Sequence, residues 1–315
     1  MMMDRRTILA AGAAAMAAPR VAAAQGSTQG GNPASHRIAV GGLEAFVVTD
    51  GQVARADVTQ GVVANATAEQ VRGALAAAGI QGTAMPNPFN ITIVRTPRGL
   101  VALDAGRGAV GGQQAGGVVA NMRAIGLDPA QVVLVAHTHF HGDHIGGLVD
   151  AAGAPVFPNA EIAVPEREWS FWTDAGEESR AAENRRPNFA NVRNRFAPYQ
   201  AKVTRFAPGT QVAPGITAVA SPGHSPGHSS FLVADGSQQL LVIGDAITTP
   251  AFFMANPEWY PFFDMDPPMA VETRKRLLDR AATDRIPVVG YHFDMPATGR
   301  VERAGSGYRL VPSGA

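Results

Sequence analysis

Short apolar runs bounded by turn residues alternate along the chain with stretches whose apolar positions recur every three or four residues. The runs AFVVTD (45–50), FNITIVRT (89–96) and GLVALDAG (99–106) read as strands, the last two joined by the turn residues Pro97, Arg98 and Gly99. ATAEQVRGALAAAG and AGGVVANMRAIG read as helices that stop at Gly79 and Gly126. Strands follow at QVVLVAH and EIAVP, and then a polar, arginine-rich insert from about 174 to 197 that reads as surface helix. From there the pattern repeats in outline, with strands at GITAVAS, SSFLVA, QLLVIGDA and IPVVGYH and a helix near MAVETRKRLLDRA. Each half supplies strands and then helices. That order predicts an α/β fold, an αββα sandwich of two packed mixed β-sheets with helices on the outer faces.

Composition permits this and narrows the partners. The chain has 315 residues, 46% of them apolar and 17% charged, enough for a closed core. Its 26 basic and 26 acidic residues cancel, so no overall field favours nucleic acid, and a small neutral or apolar substrate is expected. Cysteine is absent, which removes disulfides and thiolate ligands and leaves nitrogen and oxygen as metal donors. The opening segment carries Arg5 and Arg6, a weakly apolar run broken by Pro19, and the small residues Ala22 to Ala24. It resembles a twin-arginine export signal over residues 1–24, which implies a periplasmic or secreted protein; the run is too short and too broken to span a bilayer. Residues 25–36, with His36 as a surface residue, are expected to be a flexible lead-in to one domain over 37–315.

The stretch HTHFHGDHIGG (137–147) holds four of the chain's eight histidines. Imidazoles this close cannot all be protonated, so neutral ring nitrogens are left facing a cation. Four segments place possible ligands at the ends of predicted strands: His139, His141, Asp143 and His144; His224 in SPGHSPGH; Asp245 in VIGDA; and His292 in VVGYH. These donors exceed what one tetrahedral zinc takes and suit two ions about 3.5–4 Å apart that share a carboxylate. Gly142, Gly146 and Gly147 are read as letting the backbone turn sharply, and Asp104 as orienting the loop by hydrogen bonds.

In this order HxHxDH, the preceding LDAG, SPGHSPGH, GDA and the last histidine resemble the metallo-β-lactamase superfamily. PFNITIV, the FW of EWSFW and the C-terminal GYRLVP resemble the branch that holds methyl parathion hydrolase and similar lactonases. The resemblance implies one ion on His139, His141 and His224, another on Asp143, His144 and His292, and Asp245 between them. It further implies two divalent ions, zinc by default with manganese, cobalt or iron accepted, and an activated water attacking an ester-like bond. An acyl-homoserine lactone or an organophosphate triester is the expected substrate, and Asp143 is assigned a catalytic part in receiving a proton. A β-lactamase of the all-histidine type would not need Asp245. A metal-containing binding protein for an apolar ligand is the alternative from another class.

His137 falls outside the motif and is read as capping its strand, and His228 as orienting the SPGHSPGH turn from behind. Trp172, Phe252, Phe253 and Trp259, with their aromatic neighbours, are expected to wall an apolar pocket over the metals, or else to be core. Asp294 brings a charge to the loop after His292. The arginine-rich insert beside Trp172 is a possible homodimer contact.

Overall fold

A computed structural model of the protein describes residues 34–108 and 114–313. The export segment therefore lies outside the described residues. Two seven-stranded sheets make up the core of the fold. The first runs in chain order from β1 (Ser35–Val40) through β2 (Leu43–Arg55), β3 (Met85–Thr96), β4 (Gly99–Leu103), β5 (Val132–Ala136) and β6 (Glu161–Pro165) to β7 (Val203–Phe206). Pairing is antiparallel up to β4 and parallel beyond it. The second sheet contains β8 (Gln211–Ala213), β9 (Ile216–Ala220), β10 (Ser229–Asp235), β11 (Gln238–Val242), β12 (Val288–Val289), β13 (Thr298–Ala304) and β14 (Gly307–Pro312), with β11 and β12 its parallel pair.

Strand alternation sorts the first sheet's side chains into two layers. On β2, Ala45 and Val47 join the core shared with Phe231 and Leu241 of the second sheet, while Phe46 and Val48 join the core under the helices. On β4, Val101 and Leu103 take the first side and Leu100 and Ala102 the second; on β6, Ala163 opposes Ile162 and Val164. Burial on both faces explains why these strands read as nearly continuous apolar runs.

Parallel strands need crossovers, and helices supply them. Between β3's hairpin partner β2 and β3 itself lies α1 (Ala68–Ala77), opened by a capping box of Thr67 and Gln70. α2 (Val118–Ala124) crosses from β4 to β5 and buries Val118 and Met122. The short α3 (Gly142–Ile145) carries part of the histidine motif. The predicted surface insert is helical: α4 (Glu166–Thr173), α5 (Ala175–Arg180) and α6 (Arg186–Phe196) connect β6 to β7. Its α6 also sinks Phe189, Val192 and Phe196 into the core. α7 (Pro267–Thr283) crosses from β11 to β12; Asp266 caps it by accepting from the Met269 N–H, and Leu277 and Leu278 pack inward. These β-helix-β units leave Asp104, the 137–147 loop, Asp245 and His292 at strand ends, where their side chains meet.

Several elements differ from the sequence pattern. β1 begins at Ser35, so His36 pairs with Val47 and is half-buried, inside a strand. β2 continues to Arg55 past a bulge between Thr49 and Gly51. There Asp50 turns inward and its buried carboxylate accepts from the N–H groups of Gly108 and Val118. Among the described residues no helix is long and apolar enough to cross a membrane.

Candidate metal centre

Three loops converge at the strand ends. His139, His141 and His224 form one group of donor atoms, Asp143, His144 and His292 a second, and His139, His144 and Asp245 a third that overlaps both. Asp245 touches both outer groups: its Oδ1 is 3.2 Å from His144 Nε2, and its Oδ2 is 3.4 Å from His224 Nε2 and 3.2 Å from His292 Nε2. The three rings of the first group press together, with His141 Nδ1 3.0 Å from His139 Nε2 and 2.9 Å from His224 Nε2.

Each of four histidines has its outer nitrogen engaged by an acceptor, which points the other ring nitrogen inward. His144 Nδ1 meets Asp104 Oδ2 at 2.8 Å, His224 Nδ1 meets Asp264 Oδ1 at 2.9 Å, and His292 Nδ1 meets the Pro88 carbonyl at 2.7 Å. His139 Nδ1 lies 3.0 Å from Thr138 Oγ1, whose own hydroxyl donates to Asp104. His144 Nε2 and Asp245 Oδ1 are buried without any hydrogen-bond partner. An unpaired buried polar atom costs about 1–3 kcal/mol. Ring nitrogens and carboxylate oxygens that converge in this way, two of them with no hydrogen-bond partner, fit divalent cations.

The electrostatics agree. Burial and the neighbouring His144 and His141 drive His139 well below the usual histidine range, and burial with His224 does the same to His141, so both rings are neutral. Burial also opposes charge on His144, but Asp245 and Asp104 outweigh it and hold that ring well above the ordinary value. Asp245, despite its burial, is held well below the carboxylate range by His292 and His144.

The supporting residues expected from sequence sit behind this centre. Asp104 has a left-handed backbone, φ 67°, a conformation costing about 1–2 kcal/mol for a residue with a Cβ. From it the carboxylate accepts the Thr138 N–H and hydroxyl and meets His144. His228 accepts the Asp245 N–H on Nε2 and places Nδ1 2.8 Å from Ser221 Oγ; burial and His224 pull its pKa to about 3, keeping it neutral. His137 is fully buried against Phe140 and Phe196 and 3.6 Å from Asp104, outside all three donor groups.

Other expectations are corrected. Gly146 (φ −59°) and Gly147 lie in the tight 3-10 turn Gly146–Leu148 and need no left-handed backbone there. They are small because a Cβ would lie 2.1 Å from the Arg107 and Ala105 carbonyls respectively. Phe252 and Phe253 are buried in the core between the sheets, on a single π turn over Pro250–Met254, and Trp259 lines a separate cavity beside α1. They do not wall the centre. Trp172 does, together with Phe262 and Phe263, in a cavity of about 340 Å³ that also exposes His141, Asp143, His224, Asp245 and His292. Trp172 itself is 1% exposed. The wall is also more polar than expected, because Arg55, Asn184, Arg185 and Asn188 line it.

Sequence reasoning missed Glu168, Asp264 and Tyr291. Glu168 is fully buried and accepts from Phe140 N–H, Trp172 Nε1, Ser225 Oγ and Gly227 N–H, tying the HxHxDH loop to the His224 loop. Its four-residue spacing from Trp172 was the available signal. Asp264 joins His224 to the buried Arg274, and Tyr291 stacks on His144 while donating to the Asp143 carbonyl. No local spacing points to either.

The chain matches the family model of the metallo-beta-lactamase superfamily over residues 85–291. It is 33% identical over 192 residues to N-acyl homoserine lactonase AttM of Azorhizobium caulinodans, covering 52% of this chain and 66% of the relative. It is 26% identical over 179 residues to N-acyl homoserine lactonase AiiA of Bacillus thuringiensis subsp. kurstaki, covering 56% and 62%. The matched stretches thus span under two thirds of those relatives' own lengths. Among solved structures, AidC, a dizinc quorum-quenching lactonase in complex with a product, superposes with a TM-score of 0.83 at 22% identity over 90% of this chain and 99% of that one. The hydrolase AbOPH of the beta lactamase superfamily gives 0.81 at 25% identity over 89% and 97%.

Proposed function

The chain belongs to the metallo-beta-lactamase superfamily, and from that premise we propose that it is a dinuclear metal hydrolase of lactones, of the N-acyl homoserine lactone type. The observation that carries the reading is the joining of two donor groups by Asp245 at the floor of an open cavity. The lactonase relatives support the choice of bond. Two divalent ions, zinc by default, would be held by His139, His141 and His224 on one side and Asp143, His144 and His292 on the other; when bound they make water acidic enough to attack and polarise the scissile carbonyl.

The chain's own residues do the rest. Asp104, Asp264, Thr138 and the Pro88 carbonyl fix the histidine tautomers, so no ligand has to reorient. Both aspartates line the cavity, but Asp245 is 4% exposed and surrounded by histidines, whereas Asp143 is 26% exposed. Asp143 is therefore the carboxylate a substrate can reach, and it accepts the proton released in attack and returns it to the leaving alkoxide. Phe262 and Phe263 supply apolar area for the substrate, with the buried Trp172 packed behind the wall. Arg5 and Arg6 support export to the periplasm or beyond.

The test is hydrolysis of N-hexanoyl homoserine lactone, an aryl ester and methyl parathion by zinc-loaded protein, with elemental analysis. Opening of the lactone and two zinc per chain, falling in Asp245→Ala, are expected. Loss of neither metal nor rate in that variant would remove the bridging role, and no turnover of any substrate would favour a ligand-binding protein.

A further inference from the structure

Arg55 ends β2 inside the cavity that exposes the metal-ligand candidates. It lies on the same strand face as Val53, which packs on the helix-side core, so its guanidinium points inward at a position where the pattern calls for an apolar residue. It is half-buried, and its Cζ stands 5.6 Å from the centroid of the Phe263 ring. Among the described residues no carboxylate lies within ion-pair distance, and no hydrogen bond uses its side chain. The carboxylates whose fields reach it are Asp245 and Asp143, and both belong to the donor groups of the centre. Cations there would engage these two acids and leave Arg55 facing a positive centre with no protein anion. A second guanidinium on the cavity wall, Arg185, also lacks an ion-pair partner among the described residues.

A half-buried arginine with no ion-pair partner beside cations is unfavourable unless a ligand brings negative charge. Its planar fork matches a carboxylate in two parallel hydrogen bonds, a geometry lysine does not reproduce. Phe263 places its ring 5.6 Å from Cζ, and no protein acceptor among the described residues takes the N–H groups, which are open to that contact. From this geometry we infer that Arg55 determines specificity for a lactone or ester that carries a carboxylate apart from the scissile bond, the carboxylate docking on Arg55 while the carbonyl sits at the metal centre. The inference rests on the hydrolase reading and extends its substrate class from neutral lactones to those that also carry a carboxylate, which Arg55 favours. No bond changes at Arg55; it positions the substrate.

The experiment compares γ-butyrolactone bearing a carboxylate on its γ carbon with the matching carboxamide, on the zinc-loaded full chain and on Arg55→Gln and Arg55→Lys. Calorimetric titration with glutarate and with glutaramate, which lacks the second carboxylate, reads binding without turnover. Wild type is expected to favour the anionic partner of each pair by about tenfold to a hundredfold, in KM more than in kcat, as a hydrogen bond to a charged group allows. Arg55→Gln should abolish the preference, and Arg55→Lys should keep a part of it. Zinc content and circular dichroism report whether each variant is folded; if Arg55→Gln is not, the wild-type preference and the Arg55→Lys shift still decide. Equal affinity of wild type for glutarate and glutaramate, or a preference that survives in Arg55→Gln, overturns the assignment. If neither lactone opens but glutarate is preferred through Arg55, the hydrolase reading fails and the carboxylate site stands; if both open at equal KM, the reverse holds.

Discussion

Replacing Glu168 by glutamine tests whether one carboxylate holds the two ligand loops in register. Four donors converge on it: Phe140 N–H and Trp172 Nε1 at 3.3 and 2.7 Å on Oε1, Ser225 Oγ and Gly227 N–H at 2.9 and 2.7 Å on Oε2. An amide keeps one acceptor end. Its best orientation gives the oxygen to Phe140 and Trp172, lets the Ser225 hydroxyl rotate to accept from the new NH2, and strands the Gly227 N–H. That group cannot retreat, because a Gly227 Cβ would stand 2.3 Å from Glu168 N, so the two backbones are already in contact. One stranded buried donor costs about 1–3 kcal/mol and the lost charge assistance on the others about 1 kcal/mol more, giving about 2–4 kcal/mol in all. The loss should appear as a lower midpoint in urea at unchanged slope, and as weaker zinc binding, since His224 rides on the loop that Gly227 anchors. Trp172→Phe removes one donor and leaves the carboxylate its other three, so it should cost less, and the double variant should cost less than the sum because the pair is in contact. A Glu168→Gln protein within about 0.5 kcal/mol of wild type, with unaltered zinc affinity, would refute the reasoning.

Two further outcomes follow. Metal uptake should release protons near neutral pH, because Asp245 and Asp104 hold the His144 ring protonated in the metal-free protein against its burial. The sign is fixed by the raised value: stabilisation from the charged ring is complete below the ordinary histidine value of 6.5 and is lost as pH rises through the folded-state value. Zinc affinity should therefore climb with pH by about tenfold per unit for each proton displaced, while the metal-free fold weakens over the same window. Calorimetry in buffers of different ionisation enthalpy measures this, and heats that do not depend on the buffer would contradict it. Changing Arg5 and Arg6 to lysine should keep the protein in the cytoplasmic fraction of a host with a working twin-arginine pathway; unchanged periplasmic recovery would remove that route.

What could be read from the chain and what could not divide along a physical line. Seven ligand candidates announce themselves because each ends a strand whose alternation is visible locally, and because imidazoles crowded into one loop have few other uses. Strands β1, β7, β8, β13 and β14 were hidden or incomplete in the pattern; edge and hairpin positions carry polar residues such as Arg37, Thr204, Gln211 and Arg309, which blur alternation. The aromatic segment after Asp245 leaves two readings open in the sequence because apolar content cannot distinguish a pocket wall from a core: Phe252 and Phe253 face inward from a π turn, while Phe262 and Phe263 reach the cavity.

The least legible layer is the one that positions the ligands. Glu168 reaches Gly227 across 59 positions and Asp264 reaches His224 across 40, so each partnership exists only after the sheets have brought their strand ends together. A carboxylate that serves a backbone N–H needs no motif at the far end, since every non-proline residue offers the same donor. Such residues are recognisable in sequence only as charges in apolar surroundings, and Arg55 shows why that sign still carries information. Glu168, Asp264 and Asp104 have their charges answered inside the protein. Arg55, on the same kind of inward position, does not have its charge answered among the described residues, and it sits where a substrate enters. A buried charge that the fold satisfies is part of the scaffold, whereas one left open at a cavity wall awaits a ligand of opposite sign.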